Sequence, residues 1–98
     1  VKKVLLQGTR ATGIAYAATP KGAEHMVYAR KEVILSAGAF NSPHLLLLSG
    51  IGDETQLRQH GVGVVHHLPG VGRNLQDHVF VNIDVLCKFK VTMNDAET

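Results

Sequence analysis

The chain opens on short runs rich in apolar residues, separated by turn residues. Val1 to Leu6 (VKKVLL) predicts a strand, and the QGTR that follows predicts a turn. Ala11 to Ala18 (ATGIAYAA) predicts a second strand, in which Gly13 marks a bulge or a close backbone approach. Residues 19–22 (TPKG) punctuate the chain with Pro20 and Gly22. Met26 to Arg30 predicts a third strand. Lys31 to Ser36 (KEVILS) is apolar at its centre and β-branched at Val33 and Ile34, which predicts a strand buried on both faces. The pattern up to Ser36 is an antiparallel meander feeding a buried strand.

The texture then changes. Ser42-Pro43 is a helix-start signal, because Ser is a favoured N-cap and Pro fits the first helical position. The predicted helix runs from Pro43 to Ser49 and stops at Gly50. It is nearly all Leu, which predicts burial all round. A second helix is predicted from Glu54 to His60, capped by Asp53 and ended by Gly61. Val62 to His67 fits a short strand, and Leu68 to His78 (LPGVGRNLQDH) reads as a loop. Val79 to Leu86 alternates cleanly, with Val79, Val81, Ile83 and Val85 on one face, which predicts a half-buried strand. The polar tail, Thr92 to Thr98, is expected to be loose.

Composition narrows the class. A chain of 98 residues with 45% hydrophobic and 18% charged residues is globular and holds one small domain at most. A net charge of +2, with basic residues paired only at Lys2-Lys3 and Arg30-Lys31, offers no footprint for nucleic acid. The longest apolar run, Leu45 to Leu48, is far short of a membrane span. The single cysteine, Cys87, excludes an internal disulfide, and nothing points to secretion, so a cytoplasmic location is the expectation. Cys87 lies in a strand-like run without an activating neighbour, and a buried inert thiol is expected. The chain begins in mid-pattern at Val1, without an initiator Met, which predicts an internal fragment.

Candidate chemistry is sparse. The pairs Gly50/Gly52, Gly61/Gly63 and Gly70/Gly72 do not complete Gly-x-Gly-x-x-Gly, because Thr55, His66 and Leu75 stand at the third positions. They are expected to be tight turns. His60, His66, His67 and His78 lack the spacing of a zinc site, and no metal is expected. His78 beside Asp77 is either a proton-transfer pair or a polar contact within a loop. The junction Ala37-Gly38-Ala39-Phe40-Asn41-Ser42-Pro43 is more specific. Small residues at a strand end let a backbone or ligand approach, and a helix start supplies free N–H groups and a positive dipole end. Such a junction is either a nucleotide or cofactor contact, as at strand ends of open α/β sheets, or a tight packing turn.

The same residues resemble a known family. GAFNSPHLLLLSGIG (Gly38 to Gly52) resembles the second signature of the glucose–methanol–choline (GMC) oxidoreductases. LPGVGRNLQDH resembles the segment that follows it in that family, its choline-dehydrogenase-like branch above all. RATGIAY (Arg10 to Tyr16) is similar to a family strand. The resemblance covers about residues 1 to 80.

The resemblance implies an α/β FAD-binding fold, here the meander and strand–helix unit, which is α+β in isolation. It implies that residues 1–78 are the late part of the FAD-binding domain and that residues 79–98 begin the substrate-binding domain. It implies oxidation of a small-molecule alcohol by hydride transfer to FAD. By residue-wise match it implies cofactor contacts at Val1, Ala37, Gly38, Asn41, Ser42, Pro43, Asn74, Gln76, Asp77 and His78. His44 stands where the family commonly has Gln.

The family's pyrophosphate-binding Gly-x-Gly-x-x-Gly turn is missing, and none of the six histidines matches its catalytic segment. No catalytic residue is therefore assigned, and the isolated chain is expected to be inactive, with apolar surface open to self-association. The alternative is a non-catalytic structural or interaction domain derived from this fold.

Overall fold

The computed structural model describes residues 1–86, 88 and 89. Cys87 and the tail Thr92 to Thr98 lie outside the described residues. A three-stranded antiparallel sheet, ordered β1-β2-β3, is built from Lys3–Gln7 (β1), Arg10–Tyr16 (β2) and His25–Tyr28 (β3). The meander thus forms as the strand-like runs and turn residues predict. Gly13 satisfies both readings given to it. The register steps between Leu5, which faces Gly13, and Leu6, which faces Ala11, so Thr12 is the extra residue of a bulge. Thr12 Oγ1 donates to the Leu5 carbonyl at 3.2 Å across that irregularity. On the other side Gly13 pairs with Tyr28, and a Cβ at Gly13 would stand 2.2 Å from the Val27 carbonyl oxygen.

Lys31 to Ser36 does not form the expected buried strand. It runs unpaired, with Val33 and Leu35 half-buried and Ile34 76% exposed. β-Branched residues favour extended backbone, but a strand needs a neighbour to complete its hydrogen bonds, and the described residues offer this segment none. The same reason applies to Val79 to Leu86. Its alternation is real, but no strand forms, and Val79, Val81, Ile83 and Val85 are 73–96% exposed.

The first helix, α1, spans Gly38–Leu48 and starts five residues before the expected Pro43. Gly38, at φ +84°, turns the chain into it. Ser42 does not cap from outside the helix. From within α1 its Oγ accepts the Ala37 N–H at 2.9 Å. Pro43 therefore sits inside the helix and has no N–H to offer the Ala39 carbonyl, which is exposed to water. The leucine run is not buried all round: Leu45, Leu46 and Leu47 are half-buried, and Leu48 is 43% exposed.

Hydrogen bonds tie the end of α1 to the sheet. Ser49 is buried; its Oγ accepts the Val4 N–H at 2.8 Å and donates to the Leu45 carbonyl. One hydroxyl thus joins the free edge of β1 to the helix terminus. Gly50, in the left-handed region at φ +82°, stops the helix as predicted. Ile51–Gly52 (β4) then pairs in parallel with His66–His67 (β5), the only part of Val62 to His67 that forms a strand. Between them, α2 spans Glu54–Gln59. Asp53 caps it through Oδ1, which accepts the Gln56 N–H at 2.9 Å, and Gly61 follows its end. Glu54 and Arg58 pair along its exposed side at 2.7 Å.

Val4, Ala15 and Leu57 are the buried hydrophobic residues among those described. So small a core leaves much apolar surface uncovered, including Phe40 at 73%, Tyr28 at 70% and Phe80 at 81%.

Candidate functional site

The site residues implied by the sequence fall on a turn, a helix start and a loop. Ala37 and Gly38 form the turn into α1, and Asn41, Ser42 and Pro43 lie in its first half. The first helical N–H groups, of Gly38, Ala39 and Phe40, have no intrahelical carbonyl to bond. No acidic side chain lies in that first turn, so the positive end of an 11-residue helix faces outward uncompensated. A Cβ added at Gly38 would meet no atom within 4 Å, so the chain leaves the space over this turn open.

Two hollows flank the turn. One, of about 240 Å³, brings Val1 and Ala37 together with Ile14, Ile34 and Leu45. The other, of about 270 Å³, lies between α1 and the loop, where Pro43 meets Phe40, Leu47, Arg73 and Leu75. Phe40 belongs to the junction named from the sequence, whereas no motif of the sequence singles out Arg73 or Leu75. Their signal is weak, a basic residue and a leucine in a Gly-rich loop.

The remaining implied residues are not brought to these hollows. Asn74, Gln76, Asp77 and His78 are exposed on the loop. Asn74 adopts φ +56°, a conformation Asn tolerates better than most residues. Of the two readings of Asp77 and His78, the geometry gives the local polar contact: Asp77 Oδ1 accepts the His78 backbone N–H at 2.8 Å. Among the described residues no group of three or more His, Cys, Asp or Glu is placed to hold a metal ion. No helix among them is long and apolar enough to cross a membrane.

An apolar hollow on each side of an open, positively polarised helix start is suited to a ligand with an anionic centre and flat apolar parts. The sequence model of the GMC oxidoreductases matches residues 1–80, and the chain belongs to that family. Within it, the chain is 52% identical over 97 residues to the mitochondrial choline dehydrogenase of Homo sapiens, covering 99% of this chain and 16% of that protein. It is 50% identical over 96 residues to the oxygen-dependent choline dehydrogenase of Staphylococcus saprophyticus, covering 98% of this chain and 17% of that one. Among solved structures, an FAD-dependent oxidoreductase from Chaetomium thermophilum superposes with a TM-score of 0.66 at 39% identity, over 71% of this chain and 12% of that one. The chain thus spans about a sixth of the curated relatives' length.

Proposed function

We propose that residues 1–78 form the late part of the FAD-binding domain of an alcohol oxidoreductase, with the substrate-binding domain beginning at Val79. The observation that carries this reading is the identity to the human choline dehydrogenase, sustained over nearly the whole chain. The substrate class it favours is a small alcohol of the choline type. FAD, when bound, accepts the hydride released from the alcohol carbon.

The residues present fit that cofactor. The free N–H groups of Gly38, Ala39 and Phe40 would add hydrogen bonds to it, where no acidic side chain of the first turn opposes its negative charge. Val1, Ala37 and Ile34 line a hollow that would take an apolar ring. Ser42 serves the site through the turn, because its hydroxyl is engaged by the Ala37 N–H. Pro43 lines the second hollow together with the loop residues Arg73 and Leu75. Asn41, Asn74, Gln76, Asp77 and His78 are exposed, and the family resemblance alone implies that they contact the cofactor. None of these residues is assigned the proton transfer.

The exposed apolar surface of Phe40, Val79, Phe80 and Leu86 would also promote self-association of the isolated chain. The rival interaction-domain reading predicts no flavin response in any context. A graft separates the two: this chain replaces the matching 96 residues of the Staphylococcus saprophyticus relative. Adding choline without oxygen is expected to bleach the flavin absorbance of the graft. A yellow graft that choline and other small alcohols leave unbleached would overturn the alcohol assignment.

A further inference from the structure

We infer that His67 is a positioning residue whose unprotonated Nδ1 clasps α2 and fastens the base of the loop Leu68 to His78. The Glu54 N–H donates to His67 Nδ1 at 3.1 Å. Glu54 is the first residue of α2, and its N–H has no partner inside the helix. Two side chains therefore satisfy this helix start: Asp53 takes the Gln56 N–H, and His67, thirteen residues on, takes that of Glu54. The next residue bonds to the same neighbourhood, since the Leu68 N–H donates to the Gly52 carbonyl at 2.8 Å. These two bonds hold the chain where it leaves β5 and enters the loop.

The clasp has a chemical requirement. Nδ1 accepts a hydrogen bond only while it carries no proton, so the neutral ring must hold its proton on Nε2. Protonation turns the acceptor into a donor and places a positive charge at a positive helix end. The ionisable groups around it are few. On α2, Asp53 is engaged by Gln56 and Glu54 by Arg58. β5 adds His66, while β4, Ile51 and Gly52, carries no charge. Acid that protonates the ring is therefore expected to open the clasp and to loosen the root of the loop. That consequence for cofactor contact rests on the flavin reading, whereas the clasp itself does not.

Nuclear magnetic resonance of the full chain, labelled with nitrogen-15, tests it without flavin. Histidine two-bond correlations should show His67 with its proton on Nε2 at neutral pH. On acidification the Glu54 amide should shift together with the His67 ring signals. His67→Asn places an acceptor at the Nδ1 position that acid does not remove, so its Glu54 amide should stay bonded at every pH. His67→Gln reaches only the Nε2 position, and Glu54 exchange protection should fall roughly three- to tenfold. The Ile14 amide, in the separate three-stranded sheet, reports that each variant is folded. An Nδ1–H tautomer in the unaltered chain, or wild-type protection in folded His67→Gln, would overturn the inference.

Discussion

Gly50→Ala is expected to lower the stability of the chain by about 3 kcal/mol or more, close to the limit a small domain can lose and remain folded. Two effects add at this residue. Its backbone sits at φ +82°, where a side chain costs about 1–2 kcal/mol. Its neighbourhood is also closed. A Cβ there would lie 2.3 Å from the Gly63 carbonyl oxygen and 2.9 Å from Val65 Cγ2. The carbonyl cannot move aside cheaply, because the same strip of backbone is pinned to Gly50. The Val65 N–H donates to the Gly50 carbonyl at 2.8 Å, and the His66 N–H shares it at 3.1 Å. Relief of the clash must break those bonds and separate β4 from β5. Urea denaturation should show a lower midpoint and an unchanged slope if only the native state is affected. Gly61→Ala is the control for left-handed backbone alone, since it stands at φ +69° with nothing within 4 Å of its Cβ position. It should cost about 1–2 kcal/mol.

The second large effect is expected at Gly13. Its backbone is not left-handed, so the penalty is purely steric. A Cβ there would stand 2.2 Å from the Val27 carbonyl oxygen and 3.0 Å from the Tyr28 Cα, both backbone atoms of the adjacent strand. Gly13→Ala should push β3 away from β2 and cost about 2–3 kcal/mol. The loss should be local before it is global. Amides paired between β2 and β3, such as those from Ile14 and Val27, should exchange faster, while those of α2 keep their protection. Equal loss of protection in both places would contradict this account of the glycine. A change of either glycine should also lower flavin retention in the grafted enzyme, but only by loosening the scaffold.

Much of this fold can be read from the chain, and the failures share one cause. β1, β2, β3 and α2 follow from local signals that this chain satisfies by itself: apolar strand-like runs, turn residues and the Asp53 cap. Lys31 to Ser36 and Val79 to Leu86 carry equally good strand patterns and form no strand, since pairing needs an edge that the described residues do not supply. Ser42-Pro43 misplaced the start of α1 for a different reason. Ser42 makes its bond backwards, to Ala37, and the turn at Gly38 had already begun the helix. The candidate site was legible as a motif, Ala37 to Pro43. Its walls were not, because Arg73 and Leu75 reach Phe40 and Pro43 only through the folded path of the loop.

The central claim is that this chain supplies flavin-holding surface to a GMC oxidoreductase. Its most direct test is the bound flavin per polypeptide in the graft described above, read from the flavin absorbance of the purified protein against its peptide concentration. The account predicts close to one flavin per polypeptide, matching the unaltered relative. A soluble graft that melts cooperatively and carries no flavin would contradict it.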